Sequence, residues 1–231
     1  MGVREHVEGV YDEQTRIFAA HPPLVAMLAG EAEREDYDRL IANIFRTHQN
    51  SPRYLALLYA LSPPGSEERV AHNMLEEMGL EEEHGESHPE LLLALLDGAA
   101  MSGIRGELED LAQEMFRQSV MAPLLFKSWR QLGLAAMAEV FSFEHMLSRL
   151  STPIADGLSR HRGLSEEALV WFRHHSEVDI QHAEEALDTI ADYADYYGFS
   201  EAEAAGLIDA VMAENVFIKR YFAPLELERS P

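Results

Sequence analysis

The stretch HHSEVDIQHAEEAL, residues 174–187, places three histidines and several acidic residues inside a helical pattern. Each residue of an α-helix advances by about 100° around the axis. His175, Asp179 and His182, at positions i, i+4 and i+7, therefore share one narrow face, while His174 lies off it. A buried Asp and two buried His are costly without a partner, and a metal ion removes that cost. The alternative is a solvated helix that is rich in histidine.

Helical periodicity dominates the rest of the chain, and the alternation typical of β-strands is absent. Pro52 is expected to kink one long helix, and Thr152-Pro153 is expected to end or bend another. We predict a single all-α domain over residues 1–231, with a core at 15–222, in which about seven to nine helices pack as a bundle. The predicted helices cover 3–19, a short segment ending at 28, 35–61, 67–78, a segment from 88 onward, two helices within 106–131, and 133–148, 166–196 and 201–222.

The composition excludes several classes of protein. The chain has 231 residues, a formal net charge of −23 and no cysteine. Nucleic acids and anionic membranes reward Lys and Arg, so neither is expected as a partner. Without cysteine there is no disulfide, thiolate zinc site, Fe–S cluster or cysteine nucleophile. The N-terminus lacks the apolar region of a signal peptide and no stretch is long enough to span a membrane, so we expect a cytoplasmic protein.

Facing helices offer further metal ligands, because helical bundles build metal sites from carboxylates and histidines that project inward. Glu144 lies in an apolar stripe, Glu77 lies on the last turn of its helix, and His88 opens the next one. Each also has an ordinary explanation. Glu144 could lie at the edge of the stripe, Glu77 could be one of an acidic pair at a helix end, and His88 could be a capping or loop residue. Glu76, beside Glu77, is expected to point elsewhere. A site with N and O ligands and no sulfur suits Fe(II) or Mn(II) better than a closed zinc site.

Over about residues 15–220 the chain resembles the haem-oxygenase-like diiron oxidases and oxygenases. The resemblance is carried by four segments: NMLEEMG at 73–79, HPELL at 88–92, AEVFSFE at 138–144 and HSEVDIQHAEEAL at 175–187. It implies a haem-oxygenase-like bundle and six metal ligands: Glu77, His88, Glu144, His175, Asp179 and His182. Glu81 competes with Glu77 for the first place, and its expected position in a loop favours Glu77.

The resemblance also implies an activity. Two Fe(II) ions, or Mn in their place, would react with O₂ as co-substrate and oxidise a small carboxylic acid, such as an amino acid or a derivative. The reactions implied are desaturation, C–C cleavage or oxygenation, as in natural-product biosynthesis. The alternatives are a fatty-acid oxidative decarboxylase of the same family and a metal-free binding or scaffold protein with this fold. A haem protein is disfavoured, because the early histidine, His21, stands beside two prolines.

Basic residues are candidates for binding a substrate carboxylate, since Arg and Lys are the usual partners of carboxylates. The candidates are Lys127, Arg130 and Arg53, for which the alternative is an ordinary surface position. A fatty acid would instead need an apolar tunnel, for which the candidates are Leu92, Phe126 and Met137, and the alternative is an ordinary core. A homodimer is the expected oligomeric state.

Overall fold

The computed structural model describes residues 2–80, 85–121 and 128–225, without the side chains at 120, 121 and 177–180. These residues contain eleven α-helices and no β-strand, which confirms the predicted all-α fold. The helices are α1 (Val3–Ala19), α2 (Pro22–Ala29), α3 (Arg34–His48), α4 (Ser51–Leu61), α5 (Glu67–Glu77), α6 (His88–Gly98), α7 (Arg105–Met121), α8 (Trp129–Gly157), α9 (Val170–Tyr196), α10 (Glu201–Val211) and α11 (Val216–Tyr221).

The centre of the fold is the pair formed by α8 and α9, the two longest helices, which pack along their length. They run antiparallel, since the hydroxyl of Tyr193, near the end of α9, donates to the carbonyl oxygen of Arg130 at the start of α8. Helix α1 packs against both, and α5 and α6 pack against α9. The buried hydrophobic side chains of all these elements form one connected cluster. Polar side chains of α5, α6 and α8 can therefore meet those of α9 inside the protein.

Local sequence signals fix the ends of the helices that carry the candidate ligands. The Ser87 hydroxyl accepts a hydrogen bond from the Glu90 backbone N–H at 3.4 Å, and the Glu90 carboxylate accepts one from the Ser87 N–H at 2.8 Å. This capping box starts α6 at His88, and Pro89 stands in the first turn, where its missing N–H has no intrahelical partner to lose. Gly79 adopts a φ of 68°, which suits the residue that follows a helix and ends α5 just after Glu77.

Three predicted helices differ from those observed. The predicted helix 35–61 is divided at Gln49-Asn50, and Pro52 stands in the first turn of α4 rather than at a kink. We expected Thr152-Pro153 to end or bend its helix. The helix does not end there, because α8 continues to Gly157. Burial of Ile154, Ala155 and Leu158 in the core compensates the backbone hydrogen bond that proline cannot make.

The predicted helix 201–222 is likewise divided, and Asn215 starts α11 by accepting a hydrogen bond from the Ile218 N–H at 3.0 Å. Two helices were predicted within 106–131, where the structure has α7 and the beginning of α8; residues 122–127 between them lie outside the described residues. In the part of the chain that is described, none of the helices combines the length and the apolar character that crossing a membrane requires.

Candidate metal centre

Three of the predicted ligands come together from three helices. The Nδ1 atom of His88 lies 2.9 Å from Oε1 of Glu77, and Nε2 of His175 lies 4.0 Å from the same oxygen. All three residues are buried, and one ligand atom from each falls within 4.8 Å of the others. We call Glu77, His88 and His175 the inner group.

Glu77 is held as a charged carboxylate. Its Oε2 atom accepts a hydrogen bond from the Ser51 hydroxyl at the start of α4. Burial alone would raise the pKa of Glu77, but the imidazoles of His88 and His175 and the Ser51 hydroxyl lower it to about 2. A carboxylate that stays ionised inside the protein is suited to binding a cation.

His175 presents one ring nitrogen to the inner group. Its Nδ1 donates to the carbonyl oxygen of Trp171, one turn earlier on α9, at 2.7 Å. In a neutral ring this leaves the lone pair on Nε2, the nitrogen that faces Glu77. The indole of Trp171 packs on the imidazole with ring centroids 4.2 Å apart. Burial, together with the neighbouring His88, lowers the pKa of His175 well below its ordinary value, so the ring is neutral and competent to bind a metal.

Glu144 of α8 brings a further carboxylate to the site. Its Oε1 accepts a hydrogen bond from Nδ2 of Asn73 at 2.7 Å, while its buried Oε2 has no hydrogen-bond partner among the described residues. Burial raises the pKa of Glu144 to about 7, against the opposite effect of His182 and Asn73, and the negative charge of Glu77 raises it further. A buried carboxylate oxygen without a donor is costly unless a proton or a cation satisfies it.

A second group of possible ligands lies beside the first. Nε2 of His182 is in direct contact with Oε2 of Glu76, and Nδ1 of His72 lies 3.5 Å from the same oxygen. One ligand atom from each of these three residues falls within 4.8 Å of the others. We call His72, Glu76 and His182 the outer group.

The structure thus divides the predicted ligands between the two groups. His182 lies against Glu76, the residue that was expected to point elsewhere, rather than in the inner group. His72 was not predicted at all. The signal that could have found it is its spacing of four residues from Glu76, which places both side chains on one face of α5. The side chain of Asp179 and all of Glu81 lie outside the described residues.

The chemistry of these side chains fits iron. Imidazole nitrogens and carboxylate oxygens without sulfur are the ligands of non-haem Fe(II) and of Mn(II). The buried oxygen of Glu144 that lacks a hydrogen-bond donor is the kind of atom that a cation satisfies. The opposing effects of His182 and Glu77 on the pKa of Glu144 place this carboxylate within electrostatic reach of both groups.

The comparison with known proteins agrees with this chemistry. Residues 39–210 match the model of a family described as iron-containing redox enzymes. The chain belongs to this family. A search of curated proteins finds no match to it. The matched range contains both groups and Glu144, so the candidate ligands of this iron-containing redox enzyme all lie within the part of the chain that defines the family.

The basic residues proposed for the substrate are engaged elsewhere. Arg130 pairs with Glu203 at 2.8 Å and donates to the carbonyl oxygens of Tyr197 and Gly198. It therefore holds the start of α8 to the chain that follows α9. These contacts give Arg130 a structural role, and its binding of substrate stays a prediction.

Arg53 is exposed, and its guanidinium lies 3.8 Å from the ring centroid of Phe116 and donates to Gln113. These contacts tie α4 to α7, and the binding of substrate by Arg53 stays a prediction. Lys127 lies outside the described residues. Leu92 and Met137, considered for an apolar tunnel, are buried in the hydrophobic core of the enzyme.

Proposed function

We propose that this protein is a non-haem diiron oxidase or oxygenase that uses O₂ to oxidise a small carboxylic acid, such as an amino acid or a derivative. The observation that carries the proposal is the pair of three-residue groups, each made of imidazoles and a carboxylate, on the shared helices α5 and α9. Glu144 stands within electrostatic reach of both. One group alone would support a mononuclear site, whereas two groups on the same pair of helices, with a third carboxylate within electrostatic reach of both, support a dinuclear one.

The charges of the described residues suit two divalent cations. Glu76, Glu77 and Glu144 supply three negative charges against the four positive charges of two such ions, so the buried centre is almost neutral. The protein residues would hold the ions, keep the imidazole of His175 neutral and correctly turned, and shield the centre with the surrounding core. The iron supplies the reaction with O₂, which the side chains of this chain do not perform by themselves.

Fatty acids are the less favoured substrate class, because Leu92 and Met137 are packed into the core rather than lining an open tunnel. An amino acid or a similar small carboxylate needs no such tunnel. We therefore propose the small carboxylate as the substrate class, in keeping with the resemblance to oxidases that act on such compounds.

The proposal is tested by anaerobic titration with Fe(II), followed by mixing with O₂. We expect about two ions per chain, O₂ consumption and a transient absorption band after mixing. Glu77→Gln should abolish the reaction, because the amide keeps the shape of the carboxylate but removes its charge. The matched control is Glu109→Gln, the same change at an exposed ion pair with Arg105 on α7, which should react normally.

The substrate class is tested by adding amino acids and fatty acids to the Fe(II)-loaded protein and measuring the rate of O₂ consumption. Acceleration by amino acids supports the proposal, and acceleration by fatty acids alone would replace it with a fatty-acid oxidative decarboxylase. A wild-type protein that binds no iron, with these compounds present, would indicate a metal-free binding or scaffold protein.

A further inference from the structure

Helix α5 carries two chemically different rows of side chains. His72 and Glu76 are four residues apart and share one face, and Asn73 and Glu77, also four apart, share the next face about 100° further round. The second row serves the inner group, since Glu77 contacts His88 and Asn73 holds Glu144. The first row meets His182 of α9.

We propose that His72 is a metal ligand, and that His72, Glu76 and His182 bind the second ion of the centre. This rests on the proposed dinuclear function, but it assigns a ligand set that includes His72 and Glu76, neither of which the sequence pattern indicated. Glu76 and Glu77 are neighbours in sequence, so one helix supplies one carboxylate to each ion.

The geometry is close to that of a bound ion. Metal bonds to imidazole nitrogen and carboxylate oxygen are about 2.1 Å long, so two ligands on opposite sides of one ion stand up to about 4.2 Å apart. The ligand atoms of the outer group lie within 4.8 Å of one another. His182 and Glu76 are in direct contact, so an ion would have to separate these two atoms slightly, while small side-chain movements would bring all three ligand atoms around it.

An alternative role for the outer group is a hydrogen-bonded cluster. Two neutral imidazoles can each donate an N–H to the Glu76 carboxylate, but such donors leave its negative charge without a compensating positive one. A divalent cation accepts lone pairs from all three residues and also compensates this charge.

The two groups differ in their contact with solvent. The side chain of His88 is 2% exposed and that of Glu77 12%, whereas those of His72 and Glu76 are 45% and 16% exposed. His182 is buried at the inner end of the outer group. The outer ion would therefore have a ligand that reaches solvent, and His72 would be the residue through which this ion enters and leaves. We expect a chelator to remove the outer ion first.

The test uses Co(II) and Mn(II) as probes, added to the full-length protein without O₂. The readouts are metal content after desalting, the d–d absorption of Co(II), and anomalous scattering from crystals soaked with each ion. The wild type should bind two ions. His72→Ala should keep the inner ion and weaken the outer one by more than about tenfold, which is the lower end of what losing a mere hydrogen-bond partner of a ligand costs.

The control is His161→Ala, which removes an exposed histidine whose ring lies against Gly30 and which belongs to neither group, and it should bind metal as the wild type does. Because the His72 side chain is half-exposed and stands on a helix, its truncation should leave the circular dichroism and the melting temperature of the metal-free protein unchanged. Glu76→Gln provides a second test with the same expected loss.

The outcomes separate this inference from the proposed function. If His72→Ala and Glu76→Gln bind both ions like the wild type, the ligand assignment is overturned while a dinuclear oxidase remains tenable. If the wild type binds two ions in a manner that depends on His72 but consumes no O₂, the assignment stands and the oxidase proposal falls. A wild type that takes up neither Co(II) nor Mn(II) overturns both.

Discussion

Gly98, the last residue of α6, offers a direct test of how α6 packs against the segment that leads into α9. A Cβ atom placed on Gly98 would lie 2.3 Å from the Cβ of Ala168. Carbon atoms in contact stand about 3.5–4.0 Å apart, so Gly98→Ala must separate the two segments by more than about 1 Å. The Cβ of Ala168 is attached to backbone and cannot turn away. Overpacking of this kind costs about 1–3 kcal/mol.

The higher helix propensity of alanine offsets at most about 1 kcal/mol of that cost, so we expect a net loss of about 1–2 kcal/mol in the free energy of unfolding. For a chain of this size the melting temperature should fall by about 2–8 °C. Thermal and urea unfolding of the metal-free protein measure both quantities. The matched control is Gly206→Ala on α10, where a Cβ meets nothing within 4 Å, and it should gain up to about 1 kcal/mol.

The double variant Gly98→Ala/Ala168→Gly moves one methyl group across the same interface and should recover most of the loss. We expect a coupling energy between the two sites of about 1–3 kcal/mol. The same displacement should weaken metal binding in Gly98→Ala, because α6 carries His88 at its other end, and the double variant should restore it. Additivity of the two single changes to within about 0.5 kcal/mol would refute the reasoning.

Three further predictions concern the site and its surroundings. Burial lowers the pKa of His48 from 6.5 to about 4. As the pH falls from 6.5 towards 4, the unfolded chain binds a proton at His48 and the folded chain does not, so the protein loses up to about 3 kcal/mol of stability. Urea unfolding across this range should show a smaller loss in His48→Gln, and an equal loss would contradict the assignment. Ser51→Ala removes the hydrogen bond to Glu77 and should weaken Mn(II) binding by about 10–100-fold in a metal titration, while Ser51→Thr should bind nearly as the wild type does. Mn(II) at about 100 times its dissociation constant should add about 2.7 kcal/mol to the free energy of unfolding of the wild type. EDTA should reverse this gain, and Glu77→Gln should not show it. An unchanged melting temperature in the wild type would argue against a metal site.

The sequence predicted the site best on α9, where the candidate ligands follow the helical repeat. The i, i+4, i+7 spacing on α9 predicted that His175 and His182 face inward together, and both are buried. The spacing on α5 was ambiguous, because a His–Glu pair four residues apart is common on exposed helices. What decides the role of His72 and Glu76 is the rotation of α5 about its own axis relative to α9, and a single sequence does not encode this rotation locally.

The two prolines show why helix ends were harder to predict than helices. Pro52 and Pro153 have the same backbone restriction, yet the first stands in the opening turn of a helix and the second in a helix interior. The chain leaves the helical conformation at Asn50, two residues before Pro52, whereas α8 is continuous through Pro153. Ile154 and Leu158 are buried in the core and hold the chain helical past Pro153. Tertiary burial of this kind outweighs the local signal.

The rotation of α5 about its own axis connects the fold to the proposed chemistry. The buried positions of this helix are Val70, Asn73 and Glu77, so only one of the three is apolar. Val70 is buried and Met74 packs against the core partly buried, so few apolar contacts favour this rotation of α5 over one that exposes its charged residues more. The contacts that fix it are polar: Asn73 to Glu144, and Glu77 to Ser51 and His88. A rotation of α5 by a single residue, about 100°, would break all of these contacts and part His72 and Glu76 from His182. The features that orient α5 are thus the same ones that bring its side chains to the two proposed ions, which explains why polar residues occupy positions where a purely structural helix would be apolar.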